Sequence, residues 1–383
     1  MRRFDADAML DRCARGLRLE RFVDAGLRAR FRHLIALFND FGTVDEPSWP
    51  EALAQVEHVV AMRLRLARDW EREPRILSGR IAQPFFVAGN ARAGTTLVQN
   101  LLCLDEGHRT PRYWDVRHPS PPPGSDPAAL AEAVAEEDAY VRWILRTSPR
   151  LLAAHPYFEQ GAQTEAEDEY LHAFDFHTPY PLPYLKVPSL PQCPLPQDPV
   201  AALRFHKQML QQLQWARPTR RWVGKGVMHQ YLMPALLEVY PDAACFWIHR
   251  SPEEYIPSLI ALLEVQYQPF NRGRYRMDPQ ALVQQLKLGV DHFMASPATA
   301  DPRVHHIRFQ DIVRDPVATI RGVYEAIGAP FSDGFRRRLT AQMSGPGGAA
   351  HRHGRLTYSL EQYGLTRAGL RTLFADYCVR FGV

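Results

Sequence analysis

Residues 89–96 read Gly-Asn-Ala-Arg-Ala-Gly-Thr-Thr and follow a short apolar run, Phe85–Ala88. Gly89 and Gly94 are spaced as in the phosphate-binding loop G-x-x-x-x-G-K-[ST], but Thr95 stands where the lysine belongs and Arg92 lies inside the loop. Glycines let backbone N–H groups approach phosphate oxygens, and the N-terminus of a following helix adds a partial positive charge. Along Asn90, Ala91, Arg92, Ala93 and Gly94, the arginine contributes a planar, permanently charged fork, and Thr95 and Thr96 add hydroxyl donors. Without the lysine that reaches the β- and γ-phosphates of ATP, the loop suits a nucleotide whose transferable group is not a γ-phosphate. The competing reading is a tight strand–helix turn that binds nothing. Strand, glycine, arginine, glycine and two threonines in that order favour binding.

Two further groups belong to the same chemistry. Arg250, after the apolar run Phe246–Ile248 and His249, sits at the carboxyl end of an expected strand, with Ser258 eight residues on and two turns into the next helix. An extended arginine and that serine can grip one phosphate together; the alternative is a local cap or salt bridge. Lys225 ends a second expected strand, Trp222–Gly224, and is placed to neutralise charge on an oxygen as a sulfuryl or phosphoryl group leaves. His229, four residues later, is a candidate general base, set against a structural hydrogen-bonding role at a helix start.

The elements that must carry these residues alternate. Three- and four-residue spacing of Phe22, Leu27, Phe31, Leu34, Ile35 and Phe38, and of Leu53, Val56, Val60 and Leu64, predicts packing helices over residues 5–80. Strands are expected at 85–88, 222–224, 243–248 and 304–308. Helices are expected at 94–104, 127–146, 200–216, 230–239, 253–266, 279–295, 316–327 and 367–381. This pattern predicts an α/β fold with a parallel sheet covered on both faces, its ligands beyond the carboxyl strand ends. Eight prolines between Pro179 and Pro199 mark a long loop, the kind that forms a lid, a binding loop or a linker.

Of 383 residues, 46 are basic and 42 acidic, a net charge of +4 without a long basic run, which gives no support for nucleic-acid binding. Five scattered cysteines never form C-x-x-C, so a disulfide framework or zinc site is not expected. With no signal-peptide pattern and no apolar stretch of spanning length, the chain is expected to be cytoplasmic.

Taken together, these residues resemble the sulfotransferases that use 3′-phosphoadenosine 5′-phosphosulfate, in the bacterial branch with a long helical N-terminus. Gly89–Thr96 is similar to that family's loop for the 5′-phosphosulfate, Trp222–Lys225 to the strand ending in its lysine, and His249–Pro252 with Ser258 to its 3′-phosphate site. Arg308-Phe309-Gln-Asp resembles a strand end whose aromatic lies near the adenine, and Tyr358–Leu365 resembles the branch's C-terminal signature. The resemblance implies that Arg352, His353 and Arg355 close over the phosphates. It also implies that His155-Pro-Tyr-Phe-Glu and its continuation to Tyr170 face the acceptor, with His155, Glu165 and Glu167 as candidate bases or anchors. Against that, Thr164 with Glu167 reads as the capping box of a solvated helix start. Aromatic residues Tyr157, Phe158, Phe174, Phe176, Tyr180 and Tyr184 either line an acceptor pocket or pack. The chain departs from the family at Ala91, Ala93, Gly226-Val227 and Thr357.

The resemblance implies a P-loop-like three-layer sandwich over 81–383, a helical extension over 1–80 packed on it, and an acceptor-side lid at about 150–200. It implies transfer of a sulfuryl group to a hydroxyl, or less favourably an amine, of a small-molecule or glycan acceptor. No metal is required, and the chain is a monomer or a homodimer. The rivals are an ATP-dependent small-molecule kinase and a non-catalytic nucleotide-binding or assembly module.

Overall fold

The computed structural model describes residues 3–41, 44–155, 158–177, 196, 198–272, 277–344 and 356–383. Five parallel strands form the sheet: β1 (Phe85–Gly89), β2 (His108–Arg109), β3 (Arg221–Lys225), β4 (Ala244–His249) and β5 (Val304–Arg308), in the order β2-β3-β1-β4-β5. Every residue of β1, β3 and β4 is buried, as expected of a parallel sheet with both faces covered. After β1 the chain moves to one side for β2 and β3, then crosses to the other for β4 and β5. The carboxyl ends beside β1 are therefore the switch point at which such sheets bind ligands.

Register brings the candidate residues to that edge. Val87 of β1 lies opposite Lys225 of β3, and Gly89 opposite Ile248 of β4, two residues before Arg250. Two hydrophobic clusters cover the faces of the sheet. The larger contains Phe86, Trp222 and Trp247, and the smaller contains Phe85, Val87, Val223 and Phe246. Helices α1 (Ala6–Leu17), α2 (Ala25–Phe41) and α3 (Trp49–Arg72) place Leu10, Phe31, Leu34, Val60 and Leu64 in the larger cluster. The N-terminal helices thus share the core of the sheet. Asp5 and Asp45 cap α1 and the short turn before α3.

Strand ends fall within a residue or two of the sequence expectation, and three details differ. The two-residue β2 extends the sheet beyond β3. Helices Tyr113–Arg117, Leu151–Ala154, Gln268–Asn271, Phe309–Arg314 and Asp333–Ser344 lie outside the expected helices. The C-terminal helix is two, Arg367–Leu373 and Ala375–Phe381, broken at Phe374 with its ring buried. Phe158, Phe174 and Phe176 pack in the core. Tyr157, Tyr180, Tyr184 and nearly all of the proline-rich stretch lie outside the described residues.

Candidate active site

The loop after β1 turns tightly, with the N–H of Ala93 donating to the carbonyl of Asn90 at 2.9 Å. Gly89 (φ 147°) and Gly94 (φ 106°) both adopt conformations that disfavour a side chain. There is also no room for one. A Cβ on Gly89 would stand 2.7 Å from the Ile248 carbonyl, and one on Gly94 would overlap the ring of Phe309. Arg92 itself is left-handed (φ 71°), strain that persists only where surrounding contacts enforce it. Asn90 is buried and pinned on both sides. Its amide donates to the Tyr255 hydroxyl at 3.3 Å, and its carbonyl accepts from Gln230 at 3.1 Å. Helix α4 (Thr95–Leu102) opens directly beyond, with Thr95 buried and Thr96 half-buried. Ala93, where the family commonly has a hydroxyl, is packed in the smaller core cluster.

Arg92, Arg250 and Ser258 come together. Arg92 Nε donates to Ser258 Oγ at 2.9 Å, and Arg250 Nη1 donates to the carbonyl of Arg92 at 3.0 Å. Ser258 thus partners Arg92 as well as standing on the helix after Arg250. Arg250 also pairs with Glu254 at 2.9 Å and lies 4.4 Å above the ring of Phe309. Burial, with the like charge of Arg250, lowers the basicity of the Arg92 guanidinium, while the Tyr358 phenol raises it. Among the described residues no carboxylate ion-pairs with Arg92. Two cations held this close, one of them desolvated, favour an anion between them.

Lys225, 2% exposed, ion-pairs with Glu167. The His155 imidazole is held well below its ordinary value, first by burial and then by the charges of Arg92 and Lys225. Lys225 and Glu167 thus pair at the end of β3, and the His155 ring feels the charges of both Arg92 and Lys225. His229 sits elsewhere. It is fully buried at the start of the helix His229–Val239, its Nε2 is 2.8 Å from Asp168 Oδ1, and its ring packs edge-on to Phe86. Asp168 also meets His206 Nε2 at 3.1 Å, and His206 Nδ1 meets the Tyr240 hydroxyl at 2.7 Å.

The acidic segment is where the sequence misled. Thr164 is not the N-cap of a helix through Glu167: it is the C-cap of the short 3-10 helix Gly161–Gln163, the next 3-10 helix begins only at Asp168, and Glu165 bridges to Arg112 at 2.7 Å. Asp168 and Glu169 are buried, in contrast to the solvated helix start suggested by the capping pattern. Their approach also accounts for the glycines flanking Lys225. A Cβ on Gly224 would overlap Asp168 Oδ2, and one on Gly226 would lie 2.6 Å from Glu169 Oε2. Arg352 and Arg355 lie outside the described residues. The sequence reading missed Asn90's two partners, Tyr255 and Gln230, and the pair Asp168 and Glu169. Only the acidic density around Glu167 hinted at the last two.

The sequence pattern of the sulfotransferase family matches residues 84–333. The chain belongs to that family. It is 26% identical over 267 residues to "Omega-hydroxy-beta-dihydromenaquinone-9 sulfotransferase Stf3" of Mycobacterium tuberculosis, an alignment covering 64% of this chain and 62% of that protein. The chain therefore spans about three fifths of that relative's length. Among solved structures, sulfotransferase STF9 from Mycobacterium avium superposes with a TM-score of 0.79 at 24% identity, covering 100% of this chain and 99% of the other. Sulfotransferase STF1 from Mycobacterium tuberculosis H37Rv gives 0.77 at 21%, covering 97% and 99%. These likenesses establish the shared fold, helical N-terminus included. Among the described residues no helix is long and apolar enough to cross a membrane.

Proposed function

We propose that this chain transfers a sulfuryl group from 3′-phosphoadenosine 5′-phosphosulfate to a hydroxyl of a small-molecule or glycan acceptor. Residues 81–383 act as the catalytic unit and residues 1–80 as a helical extension packed on it. The observation that carries this reading is the contact of Arg92 with both Arg250 and Ser258, beside Lys225, at one sheet edge. One nucleotide with phosphates on both its 5′ and 3′ sides fits two such neighbouring cations. The fit also rests on the glycine turn, whose positive-φ backbone at Gly89 and Gly94 has no room for a side chain.

When bound, the nucleotide supplies an activated sulfur whose bond to the bridging phosphate oxygen breaks as the acceptor oxygen bonds to it. Arg92 and the loop amides orient the phosphosulfate. Arg250 and Ser258 hold the 3′-phosphate, and Phe309 borders the base. Lys225 meets the negative charge that appears on the bridging oxygen, the electrostatic contribution that dominates such transfers. Glu167, which already reaches Lys225, accepts the acceptor's proton. The neutral imidazole of His155 orients the attacking hydroxyl. The named substrate of the mycobacterial relative, an ω-hydroxylated quinone, supports a hydroxyl over an amine.

Steady-state kinetics on Glu167→Gln and His155→Gln test the assignment. Glu167→Gln should lower kcat by about 10²–10⁴-fold with nucleotide affinity kept, and His155→Gln less. The reverse ranking would move the base to His155.

A further inference from the structure

Three successive acids dock onto the strand end that carries the reactive lysine. Glu167 ion-pairs with Lys225 itself. Asp168 enters the space beside Gly224, where a Cβ would overlap its Oδ2. Glu169 lies over Gly226, and its Oε2 accepts the N–H of Met228 at 2.7 Å. The glycines on either side of Lys225 thus admit the two acids that follow Glu167. Asp168 is fully buried and held at both oxygens. Its Oδ1 accepts from His229 Nε2 at 2.8 Å and its Oδ2 from His206 Nε2 at 3.1 Å. Because His206 donates through Nε2, its Nδ1 accepts from the Tyr240 hydroxyl at 2.7 Å. These partners stand on the helix Pro199–Gln214, on the helix His229–Val239 and on the residue that ends the latter.

We propose that Asp168, clamped by His229 and His206, is a positioning residue that fixes the peptide carrying Glu167 and so sets the Glu167 carboxylate against Lys225. Its catalytic consequence rests on the sulfuryl-transfer reading, whereas the clamp itself does not. A glutamate has three side-chain torsions, so an ion pair alone does not fix where its backbone lies. Asp168 has a short side chain tied to two helices, which leaves its Cα little freedom. The Cα of Glu167 is about 3.8 Å away along the chain and is restrained with it. His229 opens the helix that follows Lys225, so the clamp ties the acid segment to the same stretch of chain that presents the lysine. Burial alone would raise the Asp168 carboxyl. His229 and His206 more than offset it and hold the group ionised, well below its ordinary value. His229 therefore acts through Asp168 and not as a base.

The test compares Asp168→Ala, which removes both contacts, with Asp168→Asn, which keeps them. The amide accepts from His229 and donates to His206 with that ring's tautomer reversed. At a temperature where circular dichroism shows each variant folded, Asp168→Ala should lose kcat on the order of 10²-fold, the size expected of a misplaced catalytic group, with KM for the nucleotide little changed. Asp168→Asn should retain most of kcat. Added to Glu167→Gln, Asp168→Ala should cost little more, because its effect passes through Glu167. If Asp168→Ala does not fold, His229→Leu, which removes one of the two donors, takes its place. A readout free of turnover is the magnetic-resonance signal of the Lys225 Nζ in protein carrying isotope-labelled lysine. The chain has only Lys186, Lys207, Lys225 and Lys287, and Lys225→Ala assigns the signal. It should move in Asp168→Ala and stay in place in Asp168→Asn. A folded alanine variant with wild-type kcat or an unmoved signal would overturn the proposal. So would an asparagine variant as impaired as the alanine, or an undiminished further loss on Glu167→Gln. A wild-type protein that transfers no sulfuryl group, with the Lys225 signal behaving as expected, would leave the clamp standing and refute the functional reading instead.

Discussion

Lys225→Ala should abolish nearly all turnover, lowering kcat by about 10²–10³-fold, while 3′-phosphoadenosine 5′-phosphate still binds. The separation follows from geometry. In the proposed assignment the contacts that hold the nucleotide come from Arg92, Arg250, Ser258 and the loop amides, all on β1, β4 and their following elements. Lys225 enters from β3 on the other side of β1 and is already engaged by Glu167. Its removal therefore takes away charge at the leaving oxygen and leaves the grip on the phosphates. Single-turnover rates and product-nucleotide affinity, measured on the same preparation, check this. A variant that turns over normally, or that loses nucleotide binding in parallel with rate, would move the lysine out of that role.

Asp168→Ala should have the largest effect on stability, about 3–5 kcal/mol, because it removes the shared carboxylate of a fully buried cluster. His229 and His206 both bond to that carboxylate, and a Cβ on Gly224 would overlap it. The loss corresponds to a thermal midpoint lower by about 4–6 °C, read by calorimetry. Asp168 is held well below its ordinary value by His229 and His206 against the opposing effect of burial. Its stabilising contribution is thus complete above the unfolded carboxylate value of about 3.9 and is lost as pH falls below it. The histidines add a limb at higher pH. Burial holds His58, His155, His172 and His249 well below their ordinary value, so they stay neutral in the folded protein. The unfolded chain takes up protons at such positions below about pH 6.5, so wild-type stability should begin to fall there. Asp168→Ala should keep that upper limb and lose the lower one. A variant as stable as wild type would show that the cluster does not hold the segment under Lys225.

Strands β1, β3 and β4 were legible because each is a short, largely apolar run closed by a glycine, lysine or histidine, and parallel strands buried on both faces have that signature. The phosphate-side residues were legible for a related reason. Gly89, Arg92 and Gly94 are fixed by one local turn, and Arg250 and Ser258 by one strand end and its helix. β2 was not, since two half-buried residues carry no periodic signal. The acidic segment failed for a different reason. Thr164 and Glu167 have the local spacing of a cap, but their neighbours are chosen by contacts 53 to 61 residues away, Glu165 with Arg112, Glu167 with Lys225 and Asp168 with His229. Local pattern has no access to pairings at that separation. At Gly226, one of the positions where the chain departs from the family, the missing side chain leaves the space that Glu169 occupies.

A single adenosine nucleotide is expected to engage Arg92 and Arg250 with Ser258 at once. Calorimetric titration of the full chain with 3′-phosphoadenosine 5′-phosphate, adenosine 5′-phosphate and ATP tests it, with thermal shifts in parallel. A ligand specific to the folded state adds about 2.7 kcal/mol of stability at a hundred times its Kd. The bisphosphate should bind and stabilise, adenosine 5′-phosphate should bind far more weakly, and Arg250→Ala should erase the difference between them. Equal binding of the two, or preferential stabilisation by ATP, would contradict the account.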